Sequence, residues 1–206
     1  MKKIHAFVGD YYHEAGPIST ALQTAAVGVG EDIELLIDDL QTLSEVLSSN
    51  PAAIIIARED RLNPVDAEIH HWLTSEIDKK LEKYVQNGGR LLAIHAGLAS
   101  YPENSSYVQM LKGYFITHPE AHCPVRYHSH DMDFVVIDEH YFTHVEEAAT
   151  EVFLRSNSCH GEYAAGWRHP FGRGKVMCLV PTHNMEGYKH QEVIRLYKEA
   201  IEYAIS

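Results

Sequence analysis

Four short polar segments of the 206-residue chain carry groups that could move a proton or ligate a metal: Gly9-Asp10-Tyr11-Tyr12-His13, Arg58-Glu59-Asp60-Arg61, His95-Ala96-Gly97-Leu98-Ala99-Ser100 and Pro181-Thr182-His183-Asn184. Three of the four contain a histidine, and imidazole can act as a general base, a metal ligand or a donor to a hydroxyl. A single loop histidine is more often solvated or capping a helix, so the weight lies in their agreement in position. Ala93-Ile94-His95-Ala96-Gly97 is the sharpest of these features. It is an apolar run that breaks into a small-residue turn, the outline of a nucleophile elbow, in which small neighbours let backbone approach closely. With histidine at its centre, Ser or Cys acyl transfer lacks its nucleophile there. His95 is left as a base, a ligand, or a side chain that plugs the strand end by bonding to backbone.

A second group, His118, His122, His128 and His130, falls within thirteen residues and has Cys123 among it. His128 and His130 would share a face in an extended segment. A metal site is one reading; the regular spacing of zinc modules is missing, and a solvated loop is the simpler one. Asp138-Glu139-His140-Tyr141 follows the apolar residues 134–137. A carboxylate there could orient a histidine or serve as acid or base, and a strand-ending turn is its structural alternative. Of the two tryptophans, Trp72 falls on an apolar helical stripe, which leaves Trp167 as the better candidate to stack on a sugar ring.

The elements that must position these groups alternate along the first hundred residues in the manner of βαβ units around a mainly parallel sheet. Strands are expected at residues 3–8, 33–37, 52–57 and 90–94; the run at 52–57 is uniformly apolar, as in a strand covered on both faces. Helical spacing follows Pro17, recurs at Leu40, Leu43 and Val46-Leu47, and extends over 64–85 until Asn87-Gly88-Gly89 stops it. In the second half, strands are expected at 125–127, 134–137, 151–154, 162–167 and 175–180, before a closing helix at 191–205. In such a sheet, ligands bind beyond the carboxyl ends of the strands, and that is where the three histidine-bearing segments fall. The expected architecture is one α/β domain over 1–206, doubly wound and flavodoxin-like, with helices on both faces.

Composition narrows the function. Seventeen Lys plus Arg against 29 Asp plus Glu give a net charge of −12, which repels phosphate backbones and anionic lipid heads. Neither nucleic acid nor a membrane is expected as a partner, and no apolar run approaches the length of a membrane span. Without an apolar signal core near its start, the chain is expected in the cytoplasm. Cys123, Cys159 and Cys178 are an odd count without C-x-x-C spacing, as for reduced thiols. Gly28-Val29-Gly30 lies after a helix rather than between a strand and a helix, so no nucleotide cofactor is expected. A homo-oligomer stays open.

The ordered set Val8 with Tyr12-His13, Tyr84-Val85, Gly88-Gly89-Arg90-Leu91-Leu92-Ala93-Ile94-His95-Ala96-Gly97, Leu111-Lys112-Gly113-Tyr114-Phe115-Ile116-Thr117-His118-Pro119, Asp138-Glu139-His140-Tyr141, and Trp167 with Gly172-Arg-Gly174-Lys175-Val176 and Thr182-His183 resembles the trehalose-utilisation (ThuA-like) proteins. The resemblance spans most of the chain. It implies the class I glutamine amidotransferase-like fold, and a pocket at the carboxyl edge of the sheet built from His13, His95, His118, Glu139 and His183. It also implies a role in sugar catabolism. In true amidotransferases the elbow holds cysteine, so glutaminase activity is not expected where His95 stands. The family's His-Pro pair is replaced by His130-Asp131, which leaves His130 without an implied role.

On this basis His95, Glu139 and His183 are expected to carry the chemistry, with His13, Tyr12, His118, Tyr141 and Trp167 contacting the ligand. His13, His95 and His183 are the expected metal ligands. Neutral imidazoles with a carboxylate suit Zn²⁺ or another first-row divalent ion better than Mg²⁺. Two functions follow: an enzyme acting on a sugar or keto-sugar in disaccharide utilisation, or a non-catalytic sugar-binding or regulatory module that lost the amidotransferase cysteine.

Overall fold

The structure, a computed structural model, describes residues 1–30 and 32–206. Its first half runs β1 (Lys2–Val8), α1 (Ala15–Val27), β2 (Ile33–Ile37), α2 (Leu43–Ser48), β3 (Ala53–Ala57), α3 (Ser75–Gln86) and β4 (Arg90–Ile94). Then come α4 (Ser106–Leu111), β5 (Gly113–Thr117), β6 (Cys123–His128), β7 (Asp133–Asp138), β8 (Phe142–Val145), β9 (Glu151–Ser158), β10 (Gly161–Phe171), β11 (Gly174–Leu179), α5 (Met185–Tyr188) and α6 (Gln191–Ile205). Nine strands form one sheet in the order β2-β1-β3-β4-β11-β10-β9-β6-β7, while β5 and β8 pair in a small sheet of their own.

The pairs β2-β1, β1-β3, β3-β4 and β4-β11 are parallel, as expected for a doubly wound sheet. Beyond β11 the sheet continues through antiparallel pairs to β7. In β3 every residue of Ala-Ile-Ile-Ile-Ala is buried, because helices cover both faces there. One helical group is α1, α5 and α6, and the other is α2, α3 and α4. Right-handed crossovers explain the division: the chain moves from β1 to β2 in one direction along the sheet and from β2 through β3 to β4 in the other. The reversal between β1 and β3 opens the crevice in which ligands settle.

Three local expectations change. The helix expected over 64–85 begins only at Ser75, where Thr74 Oγ1 caps Ile77 N at 3.3 Å. The preceding residues are tied down as a loop instead: Asp60 Oδ1 accepts from Leu73 N at 2.9 Å, and Trp72 Nε1 donates to Glu59 O at 2.9 Å. Trp72 is therefore buried, but not on a helix. In the second half, α4 and the β5-β8 pair arise in stretches for which no element was expected. The strand expected at 162–167 spans the whole of Gly161–Phe171, with register shifts at Gly166.

Candidate active site

The loops after β1, β3, β4 and β11 converge, with Glu139 just past the end of β7, on a cavity of about 470 Å³. Its wall includes Tyr12, His13, Glu59, Arg61, Ser100, Phe115, His118, Glu139, Tyr141 and His183. His95, 1% exposed, lies behind this wall with Nε2 turned toward Glu139.

Each inner histidine is aimed by a different device. His13 Nδ1 lies 2.6 Å from Asp10 Oδ1, and the same oxygen accepts from Tyr12 N at 2.9 Å and His13 N at 3.1 Å. Asp10 Oδ2 accepts from Glu59 N at 2.9 Å, so one buried carboxylate ties the β1 loop to the β3 loop. Burial alone would raise the Asp10 carboxyl; its bonds to His13 and the backbone outweigh that and hold it below its ordinary value. His95 Nδ1 lies 2.8 Å from Val180 O. A carbonyl only accepts, so Nδ1 carries the proton and Nε2 presents a lone pair to the cavity. His183 is placed by its backbone, whose N–H donates to Asp138 Oδ1 at 2.8 Å.

The elbow outline is also borne out in geometry. His95 has φ +48°, a left-handed conformation that non-glycine residues seldom adopt, and it opens a short 3-10 turn over His95–Leu98. Gly97 is required there, because a Cβ at that position would overlap Ile56 O. The Tyr141 ring stacks on His95 with centroids 4.1 Å apart and planes 24° from parallel. His95 thus both bonds to backbone at the strand end and offers its second nitrogen to the cavity.

Glu139 stands among these imidazoles. Its Oε2 is 3.2 Å from His183 Nδ1 and 3.6 Å from His95 Nε2. Burial acts to raise the Glu139 carboxyl, but His183 and His95 overwhelm it and hold the group ionised far below the usual carboxylate range. Burial depresses the His95 imidazole, keeping it neutral, whereas in His183 the Glu139, Asp138 and Asp10 charges overcome burial and raise it. His13 Nε2, His95 Nε2 and His183 Nδ1 are three of the seven buried side-chain polar atoms, among the described residues, that lack a hydrogen-bond partner. Buried polar atoms are nearly always satisfied, so three orphans facing one carboxylate mark a place for a ligand.

The donor set fits a metal ion. One ligand atom from each of His13, His95, Glu139 and His183 falls within 4.8 Å of the others. Tetrahedral coordination at about 2.1 Å per bond needs ligand atoms about 3.4 Å apart, so the widest pair would have to close by about 1.4 Å. Asp10 behind His13 and Val180 O behind His95 are the outer partners that fix a ligating imidazole's tautomer.

Of the expected ligand-contacting residues, Tyr12, His13, His118 and Tyr141 line the cavity. Trp167 does not: it is fully buried in β10, with Nε1 donating to Leu111 O at 2.8 Å and its ring against Gly113. Its side chain points into the core, where the indole N–H already has its partner, so it offers no stacking face. His128 leaves the site too, with Nε2 3.4 Å from Glu162, and His130 lies on a separate surface groove. Cys178 is buried in β11, where burial pushes its thiol up, and no cysteine lines the cavity.

Two residues of the polar segments seen in the sequence, neither of them expected in the pocket, also reach it. His122 comes within 3.6 Å of Glu139 Oε1, and Glu59, 2% exposed, lines the cavity with Oε1 unpartnered while Oε2 is held by Arg61 at 2.7 Å. The polar segment at 58–61 was visible as a post-strand loop, but not which of its groups turns inward.

Fold and site together define a doubly wound α/β protein with a histidine-carboxylate pocket at the carboxyl edge of its parallel strands. The family model for trehalose utilisation (ThuA) matches residues 11–204, and the chain belongs to that family. A ThuA-like protein from Parabacteroides merdae aligns over 100% of this chain and 90% of its own, with TM-score 0.72 and 12% identity. One from Bacteroides uniformis covers 100% and 91%, with TM-score 0.68 and 16% identity. The β-galactosidase from Rahnella sp. R3 contains a similar fold in 32% of its chain, matching 100% of this one with TM-score 0.61 and 10% identity. At these identities the likeness is one of fold. No curated protein matches the sequence. Among the described residues no helix is long and apolar enough to cross a membrane.

Proposed function

We propose that the cavity is the active site of a cytoplasmic enzyme of carbohydrate utilisation that acts on a sugar or keto-sugar, with a divalent transition ion, Zn²⁺ best matched, held by His13, His95, His183 and Glu139. The observation that carries this reading is the convergence of three unpartnered, buried imidazole nitrogens on one ionised carboxylate. A bound divalent ion would supply Lewis acidity toward a carbonyl or hold a water.

The chain's own groups do the rest. Asp10 and Val180 O hold the His13 and His95 tautomers, so that lone pairs face inward. Glu139, kept ionised, would supply the one anionic ligand among the imidazoles around that ion. Phe115 and the half-exposed Tyr12 offer apolar faces to a ring, while unpartnered Glu59 Oε1 can accept from a hydroxyl. The cavity volume is in the range of small-molecule sites.

The test is turnover of trehalose and of its keto derivatives by the parent and by Glu139→Ala. The expected result is turnover in the parent that falls at least about a hundredfold in the variant. Binding without turnover in the parent would favour the sugar-binding module, a reading that histidine at the elbow supports. Neither binding nor turnover of these sugars would overturn the assignment.

A further inference from the structure

His118 and His122 are not members of the inner cluster, yet both address the same carboxylate from outside. Glu139 turns Oε2 toward His95 and His183, and Oε1 toward His118 Nε2 at 3.8 Å and His122 Nε2 at 3.6 Å. Its side chain is only 12% exposed, while those of His118 and His122 are 34% and 38% exposed at the mouth. His118 Nδ1 lies 2.7 Å from Pro119 O and must be the protonated nitrogen. Its Nε2 is the nitrogen turned toward the carboxylate oxygen. His122 packs edge-on against His183, with centroids 5.2 Å apart and planes at 73°.

At 3.6–3.8 Å neither nitrogen is close enough to the carboxylate for a hydrogen bond. The gap suits two ligands of one cation, each about 2.1 Å from it. We propose that His118 Nε2, His122 Nε2 and Glu139 Oε1 form a second divalent-metal position, joined to the inner one through Glu139 as a bridging carboxylate. The two positions differ in kind. Four protein ligands would surround the inner ion, which could take a fifth only by expanding its coordination, whereas three would surround the outer one and leave its coordination open toward the cavity that His118 lines. A single carboxylate spanning both matches the separation of about 3.5–4 Å found in two-metal sites. Imidazole-rich donors select a first-row transition ion at both positions. The ion nearer the cavity mouth, with open coordination, is the one a ligand's oxygen atoms would meet. This proposal rests on the metal reading of the inner cluster and adds a second ion to it.

The test is a calorimetric titration of metal-free, untagged full-length chain with Co²⁺. The parent is expected to take up two equivalents and the His118→Ala/His122→Ala double variant one, with unchanged melting of the metal-free proteins. Should the double variant fold poorly, His118→Gln alone is expected to weaken the second equivalent about tenfold or more while leaving the first in place. One equivalent in the parent would overturn the outer position and leave the inner one standing. Two equivalents in a folded double variant, or an unweakened second equivalent in His118→Gln, would overturn the ligand assignment. None in the parent would overturn both positions.

Discussion

The five parallel strands and the four antiparallel strands of the large sheet meet at the β11-β10 pair, and they supply opposite halves of one site. His13, His95 and His183 follow the parallel strands β1, β4 and β11, whereas Glu139 follows β7, at the far edge of the antiparallel half. The connection between the halves is Asp138. Its Oδ1 accepts from His183 N at 2.8 Å and from Glu139 N at 3.0 Å, and its Oδ2 from Tyr127 O–H at 2.9 Å. Asn184 Nδ2 adds a bond of 2.6 Å to Ile137 O. The parallel half thus aims two of the imidazoles through Asp10 and Val180 O, while the antiparallel half delivers the charge and, through Asp138, clamps it to His183.

Four substitutions would break or sharpen that contrast, in descending order of effect. Gly97→Ala places a Cβ against Ile56 O between two central parallel strands, where backbone cannot give way. It is expected to abolish soluble folded protein, measured by expression and circular dichroism. Asp138→Ala leaves three donors without their acceptor in the clamp. At about 1–3 kcal/mol for each orphaned donor that stays buried, a loss of about 3 kcal/mol or more is expected in urea unfolding. The smaller loss, relative to Gly97→Ala, follows from the antiparallel half carrying less of the core around the site.

Asp10→Asn keeps the size of the side chain but removes the charge behind His13. Metal affinity is expected to fall about 10- to 100-fold, read by competition with a chromogenic chelator, together with a loss of about 1–3 kcal/mol in urea unfolding, because an amide nitrogen would then face the Glu59 N–H that Oδ2 accepts. The smallest effect is on pH dependence and lies in the antiparallel half. Burial lowers the His169 imidazole, which a bond to Met110 O only partly offsets. With the folded value below the unfolded value of about 6.5, the unfolded state binds more protons in that window, so stability is full above it and declines as pH falls through it. The urea midpoint should therefore drop between about pH 7 and pH 5, and His169→Gln should reduce the slope.

The same division explains what could be seen in the sequence. The parallel strands were legible because each is a short, nearly all-apolar run: the expectation of 90–94 coincides with Arg90–Ile94, and 33–37 with Ile33–Ile37. Their ends therefore pointed to His13, His95 and His183. The antiparallel half alternates buried and exposed residues, as in β7, and its short β5-β8 pair carries too few residues to show a period. Glu139 and His118 stood out as polar residues in the sequence, but only the resemblance placed them in the pocket. Nothing in the spacing placed His122 beside Glu139, because the contact depends on how the loop between β5 and β6 folds back over the cavity. Trp167 misled because it was left by elimination of Trp72, and a place on a strand does not say which face is covered.

The central claim is that imidazoles of the parallel half and the carboxylate of the antiparallel half hold metal together. Its most direct test is the metal content of untagged protein purified without added metal, with His95→Ala and Glu139→Ala beside the parent. Stoichiometric transition metal in the parent, lost in both variants while they remain folded, is the predicted result. A parent free of metal even after incubation with Zn²⁺, or a folded Glu139→Ala that keeps its full complement, would contradict it.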